Sequence, residues 1–83
     1  MSKTTDHITE LDARNLMCPL PVIRAQDKIK TMRSGELLNV VCSDPGALND
    51  IPAWCRISGH HVVSTRHDDY HIEVLVEVGQ SSD

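Results

Sequence analysis

The sequence predicts an α+β protein, a two-layer α/β sandwich in the order β-α-β-α-β-β, with a four-stranded mixed sheet and two helices on one of its faces. Three observations point there. Two segments with apolar residues at helical spacing alternate with strand-like runs, and each opens on a helix-start signal, Cys18-Pro19 in one case and Asp44-Pro45 in the other. The last run alternates apolar and polar side chains, which gives the sheet one dry and one wet face. The core candidates are aliphatic, because the 83 residues include one Trp, one Tyr and no Phe. A chain of this length makes one domain, near the lower end of what an apolar core holds together without staples.

Ile8, Leu11 and Ala13 mark a short first strand ending near Asp12 to Arg14, and the Asn15 to Met17 loop then delivers Cys18. The first helix is expected from Pro19 to about Met32, with Val22, Ile23, Ala25, Ile29 and Met32 on one face and Ser34-Gly35 ending it. Glu36 to Ser43 is apolar in both registers, as suits a central strand covered on part of both faces. Asp44 as N-cap and Pro45 at the first helical position then open a second helix. Its contacts are Ala47, Leu48, Ile51, Trp54 and Cys55, and Gly59 is its stop. Pro52 removes one backbone hydrogen bond there, so it should kink this helix or confine it to a short piece. Two strands close the chain: His61 to Arg66, then a run in which Tyr70, Ile72, Val74, Val76 and Val78 share one face, with Asp68-Asp69 as the hairpin turn. The core spans about residues 8 to 79, between polar tails at residues 1 to 7 and Gln80 to Asp83.

Charge and composition exclude several functions. A formal charge of -4 and few aromatic residues argue against direct nucleic-acid binding, which draws on clustered cations and stacking surfaces. The N-terminal residues lack the apolar stretch of a signal peptide, and no segment reaches membrane-spanning length, so a cytoplasmic protein is expected. The 3 cysteines are an odd, irregularly spaced set and no disulfide framework. Cys42 in the central strand and Cys55 in the second helix read as small buried hydrophobes.

Cys18 differs from both. It stands in Leu16-Met17-Cys18-Pro19-Leu20-Pro21, where the residue before a proline is pushed out of the α region and Pro is tolerated in the first helical turn. Cys18 is thus placed at the cap, where backbone N–H groups and the helix dipole favour a thiolate and depress the thiol pKa. Arg14, four residues earlier, would add positive charge. The plainer alternative is a cysteine that merely caps a helix. Arg24, Lys28, Lys30 and Arg33 make this helix basic, suited either to an acidic partner or to a solvated face.

These residues resemble a known family, the small TusA-like (SirA-type) sulfur-carrier proteins, whose hallmark is Cys-Pro-x-Pro at the start of the first helix, here Cys18-Pro19-Leu20-Pro21. The resemblance extends through Leu11-Asp12-Ala13, Gly35-Glu36, Asp44-Pro45 and Asp50-Ile51-Pro52-Ala53-Trp54-Cys55, and covers about residues 9 to 79. It implies the same sandwich. It further implies that Cys18 carries sulfane sulfur as a persulfide, taken from a cysteine desulfurase or rhodanese-type donor and handed to another protein thiol. The end use in such families is tRNA thiolation or dissimilatory sulfur oxidation. Leu20 replaces the acidic residue that some tRNA-pathway members carry, which tilts the reading slightly toward another recipient.

Sulfur transfer suits the residues. A carrier thiol must ionise, be exposed and be unable to discharge itself, and no Cys-x-x-Cys pair accompanies Cys18. Pro19 and Pro21 stiffen the segment that docks, and Arg14 supports ionisation. Leu20, Arg24, Lys28 and Arg33 are the expected partner-binding residues, since a partner reaching the sulfur meets that end of the helix. No cofactor beyond the covalent sulfur and no metal are expected. His60, His61, His67 and His71 with Cys55 invite a zinc reading, but adjacent histidines on a strand point to opposite faces. Nothing singles out a His base for a Cys-His hydrolase or peroxidase. Trp54 reads as a core or helix-face contact, Asp44 as a cap and Asp50 as a surface residue. The expected protein is a monomeric carrier, a cosubstrate more than an enzyme. The alternatives are a non-catalytic interaction module and a thiol-redox protein using the same helix-start surface.

Overall fold

Strand β1 (Ile8–Ala13) leads into helix α1 (Leu20–Ile29), strand β2 (Leu37–Cys42), helix α2 (Ala47–Ser58) and the strand pair β3 (His61–Asp68) and β4 (His71–Glu77). The structure is a computed structural model and describes residues 8–79; the expected polar tails lie outside the described residues. The sheet order is β1-β2-β4-β3, with β1 parallel to β2 and the other two pairings antiparallel. This is the predicted α+β sandwich with its mixed sheet.

Register puts the core side chains in rows. Thr9, Leu38, Val76 and Val62 lie side by side, then Leu11, Val40, Val74 and Thr65, then Ala13, Cys42, Ile72 and His67. Their central members Leu38, Val40, Cys42, Ile72, Val74 and Val76 are fully buried, and on the opposite face Val41 is buried while Leu37 and Asn39 are half-buried, so β2 is covered on one face and on part of the other. Onto these rows α1 lays Pro21, Ala25 and Ile29 and α2 lays Ala47, Ile51 and Cys55, each set at i, i+4, i+8 spacing. Helix cover reaches only the start of β3, where Val62 packs against the core, and the residues from Val63 to Asp68 are exposed. That edge carries charged side chains and a register shift between Val62 and Ser64, features that keep an edge strand from pairing with another chain.

Several boundaries differ from expectation. Helix α1 ends at Ile29, and Thr31 and Met32 continue as tighter turns on the carbonyls of Lys28 and Ile29, at 3.0 and 2.9 Å. Ile23 turns outward, while Pro21 takes the inner row. At the start of α2 the cap is Gly46; Asp44 instead accepts the Gly46 N–H at 3.1 Å and so braces the turn before the helix. Helix α2 runs through Pro52 for 12 residues, so the proline neither stops nor shortens it. Gly59 does stop it, at φ +86° with its own N–H and that of His60 on the Cys55 carbonyl. The hairpin turn is Asp69-Tyr70, one residue later than expected, with Asp68 paired to His71. Tyr70 therefore sits exposed in the turn, apart from the buried row of Ile72, Val74 and Val76.

Candidate functional site: one exposed thiol facing two carboxylates

Because β1 and β2 run parallel, both end at the same edge of the sheet, and the loops that follow them start α1 and α2 side by side. Two hydrogen bonds stitch these loops together: Asn15 N–H donates to Ser43 Oγ at 2.8 Å, and Cys18 N–H donates to Asp44 Oδ2 at 3.0 Å. Asn15 adopts φ +66°, a left-handed turn that Asn tolerates better than most residues. The outcome is an exposed Cys18 at the mouth of the parallel strand pair.

The cap of α1 is Pro19, so Cys18 precedes it by one residue, joined by a cis peptide bond, and makes no side-chain cap hydrogen bond. Its sulfur faces α2. The Cys18 S–H donates to Asp50 Oδ2 at 2.6 Å, from the first turn of that helix. The hydrogen bond to Asp50, partial desolvation and the negative charges of Asp50 and Asp44 all raise the thiol pKa, against the depression expected from the helix start. The physical reason is the neighbour: the dipole of α1 favours a thiolate, but the acidic first turn of α2 meets the sulfur. Asp44, with Cys18 N–H and Gly46 N–H pointing at it, is held below the ordinary carboxylate range.

Arg14 does not supply the expected positive charge. Its guanidinium is taken up by Asp12, Nε to Oδ1 at 2.8 Å and Nη2 to Oδ2 at 2.9 Å, and this pairing lowers Asp12 to about 2. Pro21 is fully buried and is a core residue as much as a loop stiffener, whereas Pro19 is exposed. Leu20, Arg24 and Lys28 form an i, i+4, i+8 row running from the Cys18 end along α1. Arg33 falls beyond the helix and off that row, its N–H on Glu36 Oε1 at 2.8 Å. Met17, at 73% exposure, Leu20, at 43%, and Ile23, at 44%, are exposed apolar side chains just before and after Cys18 in the chain. The role of Asp50 is not legible in the sequence, since the Cys18–Asp50 contact joins residues 32 apart in the chain.

The remaining candidates sit elsewhere. Cys42 and Cys55 are buried, and desolvation is the first cause pushing each thiol up to about 11. His60 accepts the Gly79 N–H on Nδ1 at 2.9 Å beside Trp54, and His71 pairs with Glu73 at 2.7 Å. Among the described residues no three His, Cys, Asp or Glu side chains group as metal ligands.

Fold and site together define a class: a small β-α-β-α-β-β sandwich that presents one exposed thiol, followed by Pro-Leu-Pro, at the start of its first helix. The chain belongs to the sulfurtransferase TusA family, whose model matches residues 9–78. It is similar to the sulfur carrier protein TusA of Allochromatium vinosum, 33% identical over 72 residues that cover 87% of this chain and 95% of that one. It is also similar to the TusA of Pseudomonas syringae pv. syringae, 36% identical over 72 residues covering 83% and 86% of the two chains. The crystal structure of a SirA-like protein from Desulfitobacterium hafniense shares the fold, with a TM-score of 0.74 at 24% identity, covering 89% of this chain and all of that one.

Proposed function

We propose that this protein is a sulfur carrier that holds sulfane sulfur as a persulfide on Cys18 and passes it between protein thiols. The observation that carries this reading is the contrast among its cysteines: Cys18 is exposed at the end of the proline-stiffened loop, while Cys42 and Cys55 are buried with thiols raised to about 11. A persulfide needs an accessible sulfur and no reactive thiol within the same chain to reduce it. Family membership and two relatives named as sulfur carriers support the same conclusion.

In the loading step the Cys18 sulfur bonds to the terminal sulfur of a donor persulfide on a cysteine desulfurase or rhodanese. The donor's inner S–S bond breaks, and the leaving thiolate takes the electron pair and the Cys18 proton. Delivery is the same exchange onto an acceptor thiol, so no net oxidant or cofactor is consumed. The protein is then a cosubstrate, and the end use is tRNA thiolation or dissimilatory sulfur oxidation.

The test is a relay with radiolabelled cysteine, a desulfurase and a thiol acceptor. Label passing through the wild type and blocked in Cys18→Ser supports the carrier. Label reaching the acceptor equally without Cys18 contradicts it. Disulfide formation without label marks a thiol-redox protein, and binding without either marks an interaction module.

A further inference from the structure

The carrier thiol is held by a negative charge. Asp50 Oδ2 lies 2.6 Å from Cys18 Sγ, and Asp44 Oδ2 lies 3.0 Å from the Cys18 nitrogen, so one carboxylate from α2 meets the sulfur and a second, from the loop before it, meets the backbone of the same residue. The two carboxylates converge on Gly46, where a Cβ would meet Asp44 Oδ1 at 3.6 Å and Asp50 Oδ2 at 3.8 Å. In the β1–α1 loop Arg14 is held by Asp12, and just past α1 Lys30 pairs with Asp27. Among the described residues neither Asp44 nor Asp50 is ion-paired. A carrier built for unrestricted reactivity would place a cation here.

We propose that Asp50 is a latch on the carrier thiol: it keeps Cys18 as a neutral S–H in the free protein, and a docking donor or acceptor opens the latch by bringing a cationic side chain to that carboxylate. Asp50 is thereby a positioning and specificity residue for the sulfur transfer proposed above, and the inference rests on that reading. Three physical points support it. A thiol that donates to a carboxylate is a poor nucleophile, because ionising it would set two negative charges side by side. A partner's Lys or Arg pairs with Asp50, removes that repulsion and frees the sulfur at the moment the two reactive cysteines meet. Loading also releases the latch by itself, since Sγ of a persulfide has no proton to donate to Asp50. The terminal sulfur, ionised as a persulfide anion, is then repelled outward, past the exposed Met17 and Leu20, toward the next partner.

The partner chemistry follows: a protein whose reactive cysteine is bordered by an apolar contact for Met17, Leu20 and Ile23 and by a Lys or Arg for Asp50. A small persulfide without such a cation gains nothing from docking and is discriminated against.

The test is the pH profile of Cys18 alkylation by iodoacetamide, followed by intact mass, for the wild type, Asp50→Asn and Asp50→Glu. Asp50→Asn keeps the shape and removes the charge; its profile moves to lower pH and its rate at neutral pH rises several-fold. Asp50→Glu keeps the charge and stays close to the wild type. Asp44→Asn, the more distant charge, moves the profile in the same direction by less, and thermal melts confirm that each variant is folded. Sulfur loading by a small-molecule persulfide speeds up in Asp50→Asn, while loading by a protein donor loses part of its salt dependence. A profile for Asp50→Asn that coincides with the wild type or moves to higher pH overturns the latch. Alkylation requires no sulfur donor, so the latch stands or falls on it alone. Failure of the wild type to take sulfur from any donor would instead overturn the carrier reading.

Discussion

At the scale of single residues the sulfur and its carboxylates decide the behaviour. Cys18 was legible in the sequence because two prolines follow it and the other cysteines fall in apolar runs. Asp50 was not, because its contact depends on the parallel pairing of β1 and β2, which no local spacing reveals. The same gap explains the thiol's pKa: a helix start favours a thiolate, but the neighbouring carboxylate outweighs it at hydrogen-bond distance. Asp44 gives a prediction with a fixed sign. Its folded pKa is lowered by the N–H groups of Cys18 and Gly46, so the stability it contributes is present above the ordinary carboxylate pKa and is lost as pH falls through the lowered value. Asp44→Asn should therefore flatten the acid limb of a stability-versus-pH curve measured by urea unfolding; an acid limb identical to the wild type would show that Asp44 is not the group responsible.

At the scale of elements the i, i+4, i+8 rows carry the packing. Ile51 is fully buried where α2 meets the sheet, and Ile51→Ala should cost about 2–5 kcal/mol in denaturant unfolding. Gly79 makes a sharper case. A Cβ there would come within 1.8 Å of the Gly59 carbonyl oxygen, so the chain after β4 can pass the end of α2 only without a side chain. Gly79→Ala should destabilise the fold by about 1–3 kcal/mol, whereas an unchanged midpoint would mean that this junction yields freely. Element order and type could be read from periodicity, since each segment is long enough to show its period. Ends could not. Helix α1 stops at Ile29 because the chain tightens into i, i+3 turns there, and Tyr70 leaves its strand because the turn needs a positive φ, which Asp69 supplies at +50°. Helical spacing placed Ile23 on the inner face, but the row that faces the sheet is Pro21, Ala25 and Ile29, which leaves Ile23 exposed.

At the scale of the whole molecule, topology gathers the chemistry at one edge. The β1–β2 crossover brings two loops, two helix starts, one thiol and two carboxylates together, while the far ends of the helices hold Trp54, His60 and Gly79. Exposed Met17 and Leu20 lie at that edge, and from Leu20 the row continues along α1 through Arg24 and Lys28. Arg24→Glu should therefore weaken donor binding and reverse part of its salt dependence, as read by titration calorimetry at two ionic strengths; unchanged affinity and salt response would remove this row from the interface. The central claim, that Cys18 bears the sulfur, meets its most direct test in one measurement: intact mass after incubation with a cysteine desulfurase and free cysteine, for wild type and Cys18→Ser. A carrier thiol at Cys18 gives a gain of one sulfur atom on the wild type, reversed by reductant and missing from Cys18→Ser. An equal gain in both proteins, or none in either, would contradict it.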